Sequence, residues 1–312
     1  MFYLIAALVL LALILLASWF AYYIPFHVPK NHAEDPFDLP KGPQYEAVHD
    51  VMLRALERLL VLPYEQVYIT SFDGTRLAAR YYHKADGAPV QIQFHGYRSC
   101  AQRDFCGGTL FALEMGQNVL VVDQRAHGLS EGRVISFGVK ERRDCLCWVD
   151  YVNQRFGPDT KIILSGISMG AATVLMASQL NLPDNVAGII ADSPYSSPSA
   201  IIQKVCTDVK FPTKLVYPFI CLGALIFGHF RLWEATASSA VKTTHIPILL
   251  IHGEDDHFVP CEMSREIFDA CAAPKMLHTF PGAGHGLGFT IDAPRYKKIT
   301  REFMALCGIQ LN

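Results

Sequence analysis

The sequence predicts an α/β fold with a mostly parallel sheet of eight strands and helices on both faces. Between residues 65 and 308, short apolar segments of strand length alternate with longer segments of helical periodicity. The first two strand segments flank Phe72-Asp73-Gly74, a sequence typical of a hairpin turn. Because alternating strands and helices form parallel sheets, we expect a parallel sheet led by one antiparallel hairpin.

Local patterns place the elements in order. Val51, Leu53, Leu56 and Leu59 have helical spacing and predict a short helix over residues 47–62. Strands are predicted at 65–71, 76–83, 90–94, 118–122, 161–165, 186–191, 248–251 and 276–280. Helices are predicted at 139–156, 169–180, 261–272 and 293–306, with a further helix between the third and fourth strands. The chain has no internal repeats.

Residues 1–25 contain no charged side chain, and about 20 apolar residues are enough to cross a bilayer as a helix. Trp19, Tyr22 and Tyr23 follow at the end of this segment, where interfacial aromatic residues occur. A cleaved signal peptide is the alternative, but the segment lacks an initial Lys or Arg and an A-x-A site. We therefore expect a transmembrane anchor. Lys30 and Lys41 on its C-terminal flank favour a cytoplasmic location for the rest of the chain.

Two segments interrupt the α/β pattern. Residues 26–46 contain four prolines and mixed charges and are expected to be a linker before the α/β domain at 47–312. Residues 193–246 break the alternation and include an apolar stretch at 215–230 that Pro218 interrupts. This stretch is short for a spanning helix, so we expect a lid over the active site. Contact of the lid with the bilayer is the alternative.

Composition excludes several functional classes. The chain has 312 residues and a net charge of −2, without a basic surface for nucleic acid. Its nine cysteines show neither metal-ligand spacing nor the regular pattern of a disulfide framework, and Cys145 and Cys147 are expected to be packing residues. The sequence implies no metal or organic cofactor, and it does not indicate an oligomeric state.

The strongest chemical motif is Gly166-Ile167-Ser168-Met169-Gly170, between a predicted strand and a predicted helix. In this context G-x-S-x-G forms a tight turn that exposes the serine hydroxyl above the sheet. The two glycines allow that turn, and the N-terminus of the following helix favours developing negative charge. Ser168 is therefore the candidate nucleophile.

A serine nucleophile needs a base, and the base needs an orienting carboxylate. His285 follows the last predicted strand within a glycine-rich loop and is the candidate base. Three adjacent carboxylates follow the preceding strand, and the residues alone do not choose among them: Glu254, Asp255 and Asp256. The expected donors to an oxyanion are the backbone amides of Met169 and Tyr97.

Other polar residues have more modest expected roles. Asp192, at the end of a strand, is an alternative acid. Asp123 and Arg125 are expected to form a buried ion pair that shapes a loop beside the site. Strand-end histidines expected to shape loops are His95 and His252, and histidines expected on the surface or in the linker include His27, His32 and His257.

The region from Phe94 to Gly288 resembles the α/β-hydrolase superfamily, and more closely its bacterial membrane-anchored serine aminopeptidase-like or lysophospholipase-like branch. Five motifs carry the resemblance: His-Gly-Tyr at 95–97, Asp-Gln-Arg-Ala-His-Gly-Leu-Ser-Glu-Gly at 123–132, Gly-Ile-Ser-Met-Gly-Ala at 166–171, Ala-Asp-Ser-Pro-Tyr-Ser-Ser-Pro at 191–198, and His-Gly-Glu-Asp-Asp-His-Phe-Val-Pro at 252–260. The resemblance places the triad acid on the fifth residue of the last motif, Asp256. Ala126 stands where relatives usually have glycine.

The resemblance and the motifs together predict a serine hydrolase that forms an acyl-enzyme intermediate. An apolar lid near a membrane favours a carboxylic ester or thioester as substrate. The alternative substrate is a peptide, for which an acidic pair in the lid would hold the free amine; Glu234 is the only carboxylate between Lys210 and Thr244. An acyltransferase would use the same residues. A non-catalytic scaffold that binds a lipid or protein is the alternative from another class, but its triad would be degraded.

Overall fold

The computed structural model describes residues 1–29 and 35–310. Within these residues eight strands form one sheet. The strands are β1 (Glu65–Thr70), β2 (Arg76–Tyr82), β3 (Val90–Phe94), β4 (Asn118–Asp123), β5 (Ile162–Ile167), β6 (Val186–Asp192), β7 (Ile248–Gly253) and β8 (Lys275–Phe280). The helices are α1 (Phe2–Phe26), α2 (Pro43–Glu46), α3 (His49–Leu60), α4 (Ala101–Asp104), α5 (Cys106–Glu114), α6 (Glu141–Phe156), α7 (Met169–Ala177), α8 (Pro198–Asp208), α9 (Thr213–Ile226), α10 (Ala237–Ala240), α11 (Cys261–Ala270), α12 (Gly288–Ile291) and α13 (Ala293–Leu306).

The sheet has the strand order β1-β2-β4-β3-β5-β6-β7-β8. β2 pairs antiparallel with β1 and β4, and the strands from β4 across to β8 are parallel. The predicted fold class and all eight strands are confirmed. The register aligns Phe94 with Gly166 and Gly166 with Ala191, so the carboxyl ends of β3, β5 and β6 meet at one edge.

Helices cover both faces of the sheet. Consecutive residues of β5 point to opposite faces, as the strand period of two requires. Leu164 packs in one cluster with Trp148 of α6, and Ile163 packs in another with Phe303 of α13. Because both faces are covered, the central strands are almost entirely buried, and most of their side chains are apolar, as expected for parallel strands. Gln91 and Gln93 of β3 are buried polar exceptions.

The N-terminal helix α1 has 25 residues and is the one helix in the described chain long and apolar enough to cross a membrane. At 1.5 Å per residue it is about 37 Å long, more than the roughly 30 Å of a bilayer core. Residues 1–13 are all exposed, and the buried residues of the helix are Ser18, Tyr22 and Phe26. Only the C-terminal half of α1 therefore packs against the rest of the protein.

The first residues of the expected linker belong to the packed body, which corrects that interpretation for residues 26–28. Phe26 is fully buried and packs edge-to-face against Phe137 and Phe230, with ring centroids 5.7 and 5.1 Å away. His27 pairs with Val134 in an isolated bridge. These contacts join the end of α1 to the segment before α6 and to the part of the lid that follows α9. Residues 30–34, with Lys30 and His32, lie outside the described residues.

Three helices of the expected lid, α8, α9 and α10, lie between β6 and β7. α9 packs directly on α1, and Gly223 marks the point of closest approach. A Cβ atom on Gly223 would lie 2.2 Å from the carbonyl oxygen of Ser18 and 2.8 Å from Cβ of Tyr22. The two helices therefore touch through backbone that only glycine permits at this point.

Candidate active site

Ser168 lies in the tight turn between β5 and α7 with φ +55° and ψ −114°, a strained conformation for a residue with a side chain. The flanking glycines have no room for a side chain. A Cβ on Gly166 would lie 2.3 Å from the carbonyl carbon of Gly170, and a Cβ on Gly170 would lie 1.8 Å from the carbonyl oxygen of Phe94. The Ser168 amide donates to the carbonyl oxygen of Asp192 at 2.8 Å, which fixes the turn to β6.

Asp256, between β7 and α11, is the carboxylate that the structure brings to His285. Its Oδ2 atom lies 2.6 Å from Nδ1 of His285 and 3.2 Å from Nε2 of His252, and its Oδ1 atom accepts from the amides of Phe258 and Val259. Burial alone would raise the pKa of the Asp256 carboxyl, but these hydrogen bonds and the charge of His285 lower it well below its ordinary value. The carboxylate therefore stays ionised and holds the imidazole in one orientation.

The other candidate acids lie elsewhere. Glu254 and Asp255 are exposed, and Glu254 accepts a hydrogen bond from Thr279. Asp192 is buried, and its carboxylate accepts from Ser193 at 3.0 Å and from Tyr296 at 3.3 Å. Burial raises the pKa of Asp192. Of these carboxylates, Asp256 is thus the one whose oxygen lies within hydrogen-bond distance of His285 Nδ1. The residue types and their spacing alone did not distinguish it from Glu254 and Asp255.

The loop that carries His285 is held from three directions. The Tyr45 hydroxyl donates to the carbonyl oxygen of His285 at 3.3 Å, and the Gly286 amide donates to Ser193 Oγ at 3.2 Å. Gly253 lets the loop cross close to β7, because a Cβ there would lie 2.2 Å from the carbonyl oxygen of Ala283. His285 and Ser168 line the same cavity.

The loop after β3 passes beside Ser168. A Cβ on Gly96 would lie 3.5 Å from Cβ of Ser168, and the Gly96 amide donates to Asp104 at 2.7 Å. The amides of Tyr97 and Met169 have no acceptor among the described residues. The roles of these two amides as oxyanion donors remain predictions.

A model of the alpha/beta hydrolase family matches residues 94–295. The chain belongs to the alpha/beta hydrolase family. Among its relatives, the uncharacterised protein YqkD of Bacillus subtilis strain 168 is 26% identical over 193 residues, which cover 62% of this chain and 63% of YqkD. The chain thus aligns with less than two thirds of the length of that relative. Protein bem46 of Schizosaccharomyces pombe is 23% identical over 224 residues, 70% of this chain and 68% of bem46.

Solved structures share the fold of this alpha/beta hydrolase. The esterase Pf2001 of Pyrococcus furiosus superposes with a TM-score of 0.64 at 21% sequence identity, covering 88% of this chain and 98% of the esterase. This similarity concerns the fold, and the family match supports hydrolase activity for the chain.

Two cavities of the hydrolase meet at Ser168. The first, the apolar cavity, has about 440 Å³ and lies between the end of α1 and the lid helices α8 and α9. The second has about 410 Å³ and a mixed lining, and we call it the polar cavity because Asp38, Lys41, Tyr45 and His285 line it together with apolar residues. Tyr97, Arg98 and Phe258 line both cavities. A substrate that spans the two would therefore place an apolar group on one side of the serine and a polar group on the other.

The prediction of an ion pair between Asp123 and Arg125 is wrong, because each residue pairs with other residues. Asp123 pairs with Arg80 at 3.0 Å, while Arg125 forms a two-bond pair with Asp144 at 2.6 and 2.7 Å and a further contact with Asp73 at 3.0 Å. The distant partners come from β2, α6 and the β1–β2 turn. Spacing along the chain carries no signal for such pairs.

The two strand-end histidines hold loops, as expected, but one also supports the predicted site. His95 is fully buried, receives the Gln124 amide at Nε2, and contacts the carbonyl oxygen of Gly96; burial lowers its pKa to about 4. His252 contacts Asp256 directly. This second contact of the acid was not predicted, although the four-residue spacing of His252 and Asp256 within one loop motif is a signal for it.

Three further residues around the site were not predicted from the sequence. Tyr45 and Ser193 support the His285 loop. Arg98, at φ +48°, connects the loop after β3 to the end of α1. Ala126 has φ +64°, in the left-handed region that favours glycine. This backbone conformation explains why the similar hydrolases usually have glycine at this position.

Proposed function

We propose that this hydrolase cleaves a carboxylic ester or thioester with an apolar acyl chain, through an acyl-enzyme intermediate on Ser168. The observation that carries the proposal is the position of Ser168 at the junction of the apolar and polar cavities. His285 also lines the polar cavity, and a buried carboxylate orients its imidazole. The apolar cavity would take the acyl chain. The polar cavity would take the alcohol or thiol part of the substrate.

In the proposed reaction, Ser168 Oγ attacks the carbonyl carbon as His285 Nε2 takes the hydroxyl proton. The amides of Tyr97 and Met169 stabilise the resulting oxyanion. Collapse of the tetrahedral intermediate breaks the bond to the leaving group, which receives the proton from His285. Water then attacks the acyl carbonyl carbon as His285 takes one of its protons. Collapse of the second tetrahedral intermediate breaks the bond to Ser168 Oγ, which receives that proton, and releases the carboxylic acid. Asp256 stabilises the imidazolium in both halves of the reaction.

A peptide substrate is disfavoured by the surroundings of Glu234. This residue pairs with Arg142 at 3.2 Å, so its carboxylate already has a cationic partner. The lid surface of the apolar cavity is composed of aliphatic and aromatic side chains with one cysteine. Neither feature offers a site for a free amine.

We also propose that α1 is an uncleaved membrane anchor. The support is its contact with the catalytic body: Ser18, Tyr22 and Phe26 are buried, and the helix end lines the apolar cavity. Cleavage after the apolar segment would remove part of that cavity wall.

The test uses the full-length protein in detergent with a fluorophosphonate probe and p-nitrophenyl esters of graded chain length. Wild type should be labelled and should hydrolyse the esters, and Ser168→Ala and His285→Ala should lose labelling and at least about 10³-fold of turnover. Ser239→Ala, at an exposed serine of α10, is the control and should match wild type. Absence of labelling in folded wild type would contradict the proposal and favour a non-catalytic scaffold.

A further inference from the structure

One wall of the apolar cavity belongs to α1. Ala21, Ile24 and Pro25 line the cavity from this side, and α8, α9 and the turn between them line it from the other. Ile24 is 64% exposed, so this wall continues to the protein surface. The helix that we propose as the anchor is therefore also part of the proposed acyl site.

The contacts between α1 and the lid set the direction of α9. Three contacts follow the same order along α1 and along α9 with the residues directly after it: Ser18 with Gly223, Tyr22 with Phe227, and Phe26 with Phe230. The two helices therefore run in the same direction, and the start of α9 lies toward the N-terminal half of α1. Ile14 and Leu15, in that half, are partly covered.

This direction places the start of α9 at the depth of a bilayer. About 20 residues of α1 are needed to cross the hydrocarbon core, which brings the bilayer boundary close to Ser18 and Tyr22. Trp19 and Tyr23 lie at the same level and have the amphipathic rings that favour this boundary. Everything beside α1 on the N-terminal side of Ser18 would then be in contact with lipid.

The segment in that position has the surface that such contact requires. Residues 209–215, here called the lid rim, comprise the connection from α8 to α9 and the first three residues of α9. Val209, Phe211 and Leu215 are 55%, 54% and 65% exposed, and the exposed Lys210 and Lys214 lie between them. Apolar side chains interspersed with lysines are typical of segments that bind at an anionic lipid surface. Val209 and Phe211 also line the apolar cavity, so the rim forms its edge.

We propose that the lid rim inserts into the bilayer beside α1 and that the apolar cavity takes its acyl chain from an ester held in that bilayer. This proposal rests on the proposed ester hydrolysis. An acyl chain that passes from the lipid directly into the apolar cavity between α1 and the rim is never exposed to water. Its transfer therefore avoids the unfavourable free energy of hydrating an apolar group. The polar cavity lies on the other side of Ser168 and would receive the polar end of the same molecule.

The first experiment measures the depth of the rim without reference to activity. Trp19→Phe and Trp233→Phe remove two exposed tryptophans, and Leu215→Trp then places a probe on the rim of the full-length protein. In vesicles that contain brominated phospholipid, the added fluorescence should fall by at least half relative to vesicles without bromine. Lys161→Trp is the control, because Lys161 is exposed immediately before β5, at the sheet edge opposite the candidate site.

The second experiment compares two esters with the same variant. Leu215→Asp should reduce hydrolysis of a long-chain p-nitrophenyl ester carried in anionic vesicles at least fivefold and leave hydrolysis of p-nitrophenyl acetate in solution within twofold of wild type. The exposed Leu215 does not line the apolar cavity, so short esters have no contact with it.

The outcomes separate the two proposals. Equal fluorescence of the Leu215→Trp probe with and without bromine would overturn the membrane-docked rim, whatever the activity. Quenching of the Leu215→Trp probe, together with wild-type protein that cleaves neither ester, would overturn ester hydrolysis and, with it, the supply of substrate from the bilayer. Quenching together with a selective loss on vesicle-borne ester is the expected result.

Discussion

The hydroxyl of Tyr97 donates a hydrogen bond to the carbonyl oxygen of Pro25, 2.9 Å away. This bond joins the loop of the predicted oxyanion donor to the last turn of α1. The neighbouring Arg98 adds bonds to the carbonyl oxygens of Ile24 at 2.7 Å and His27 at 3.3 Å. The last carbonyls of a helix lack intrahelical partners and carry partial negative charge, so a hydroxyl and a guanidinium suit them. The N-terminal helix therefore anchors the loop as well as lining the cavity.

The first prediction concerns this connection. Tyr97→Phe removes only the hydroxyl, and a neutral hydrogen bond contributes about 0.5–1.5 kcal/mol. If that energy holds the Tyr97 amide in position, kcat for an ester should fall roughly two- to tenfold with KM nearly unchanged. Steady-state kinetics on the full-length protein provide the measurement. Tyr68→Phe, at a half-exposed tyrosine of β1, is the control, and an equal loss there would argue against the connection.

The second prediction concerns the contact between α1 and α9. In a free helix Gly→Ala is stabilising by about 1 kcal/mol, so Gly223→Ala should raise the melting temperature if nothing opposed it. Here the new Cβ would lie 2.2 Å from a backbone oxygen of Ser18, and backbone cannot rotate away. We expect a lower melting temperature and slower hydrolysis of long-chain esters, because α1 must move outward from the cavity.

The control for this substitution is Gly108→Ala in α5. There the new Cβ would meet Cδ1 of Phe105 at 3.2 Å, and a side chain has room to adjust. The melting temperature of Gly108→Ala should stay the same or rise. A rise for Gly223→Ala as well would mean that the two helices are not in close contact in solution.

The sequence was sufficient to predict the strands of the sheet and the strand-to-helix turn at Ser168, because both depend on local patterns. Strand and helix periods alternate without interruption on either side of the lid, and Gly166 and Gly170 are needed for a steric reason that acts over a few residues. The catalytic roles of Ser168, Asp256 and His285 remain predictions, although the structure brings the last two within 2.6 Å.

Contacts between distant segments were not predictable. Phe26 follows an apolar helix and precedes a proline-rich segment, and nothing in that pattern indicates its burial between Phe137 and Phe230. The same holds for the partners of Arg125, which lie 19 and 52 residues away along the chain. Such pairs depend on how elements meet in space, for which a single sequence has no local signal.

The third prediction concerns the buried pair of Arg125 and Asp144. Both side chains are 5% exposed. Arg125→Met leaves the Asp144 carboxylate buried without its cation, which costs about 3–5 kcal/mol. For a domain of this size the melting temperature should fall by roughly 10 °C. Thermal unfolding followed by circular dichroism checks this value.

A second variant separates the lost pair from lost packing. The double substitution Arg125→Met with Asp144→Leu replaces the whole pair by apolar side chains, and such replacements are often neutral. It should recover most of the lost melting temperature. No recovery would mean that the single substitution acts through the shape of the loop rather than through an unpaired charge.

The fourth prediction concerns Asp73 and acid stability. Burial by itself raises the pKa of Asp73, but hydrogen bonds from Arg125 and Thr75 outweigh it and lower the pKa to about 2. A folded-state pKa below the ordinary value stabilises the protein above that ordinary value, and the stabilisation is lost as pH falls toward the folded-state pKa. The contribution of Asp73 should therefore be complete above about pH 5 and decline from about pH 4 to pH 2.

Asp73→Asn removes this contribution at every pH, so wild type should exceed the variant in melting temperature at pH 6 by a gap that narrows below pH 4. The side chain of Asp73 is 32% exposed, and solvent screening keeps the gap small. Thermal unfolding in parallel buffers from pH 6 to pH 3 measures it. Asp159→Asn, at an exposed carboxylate, should follow wild type throughout. A gap that stays constant with pH would show that Asp73 contributes through shape or neutral hydrogen bonding rather than through its ionisation.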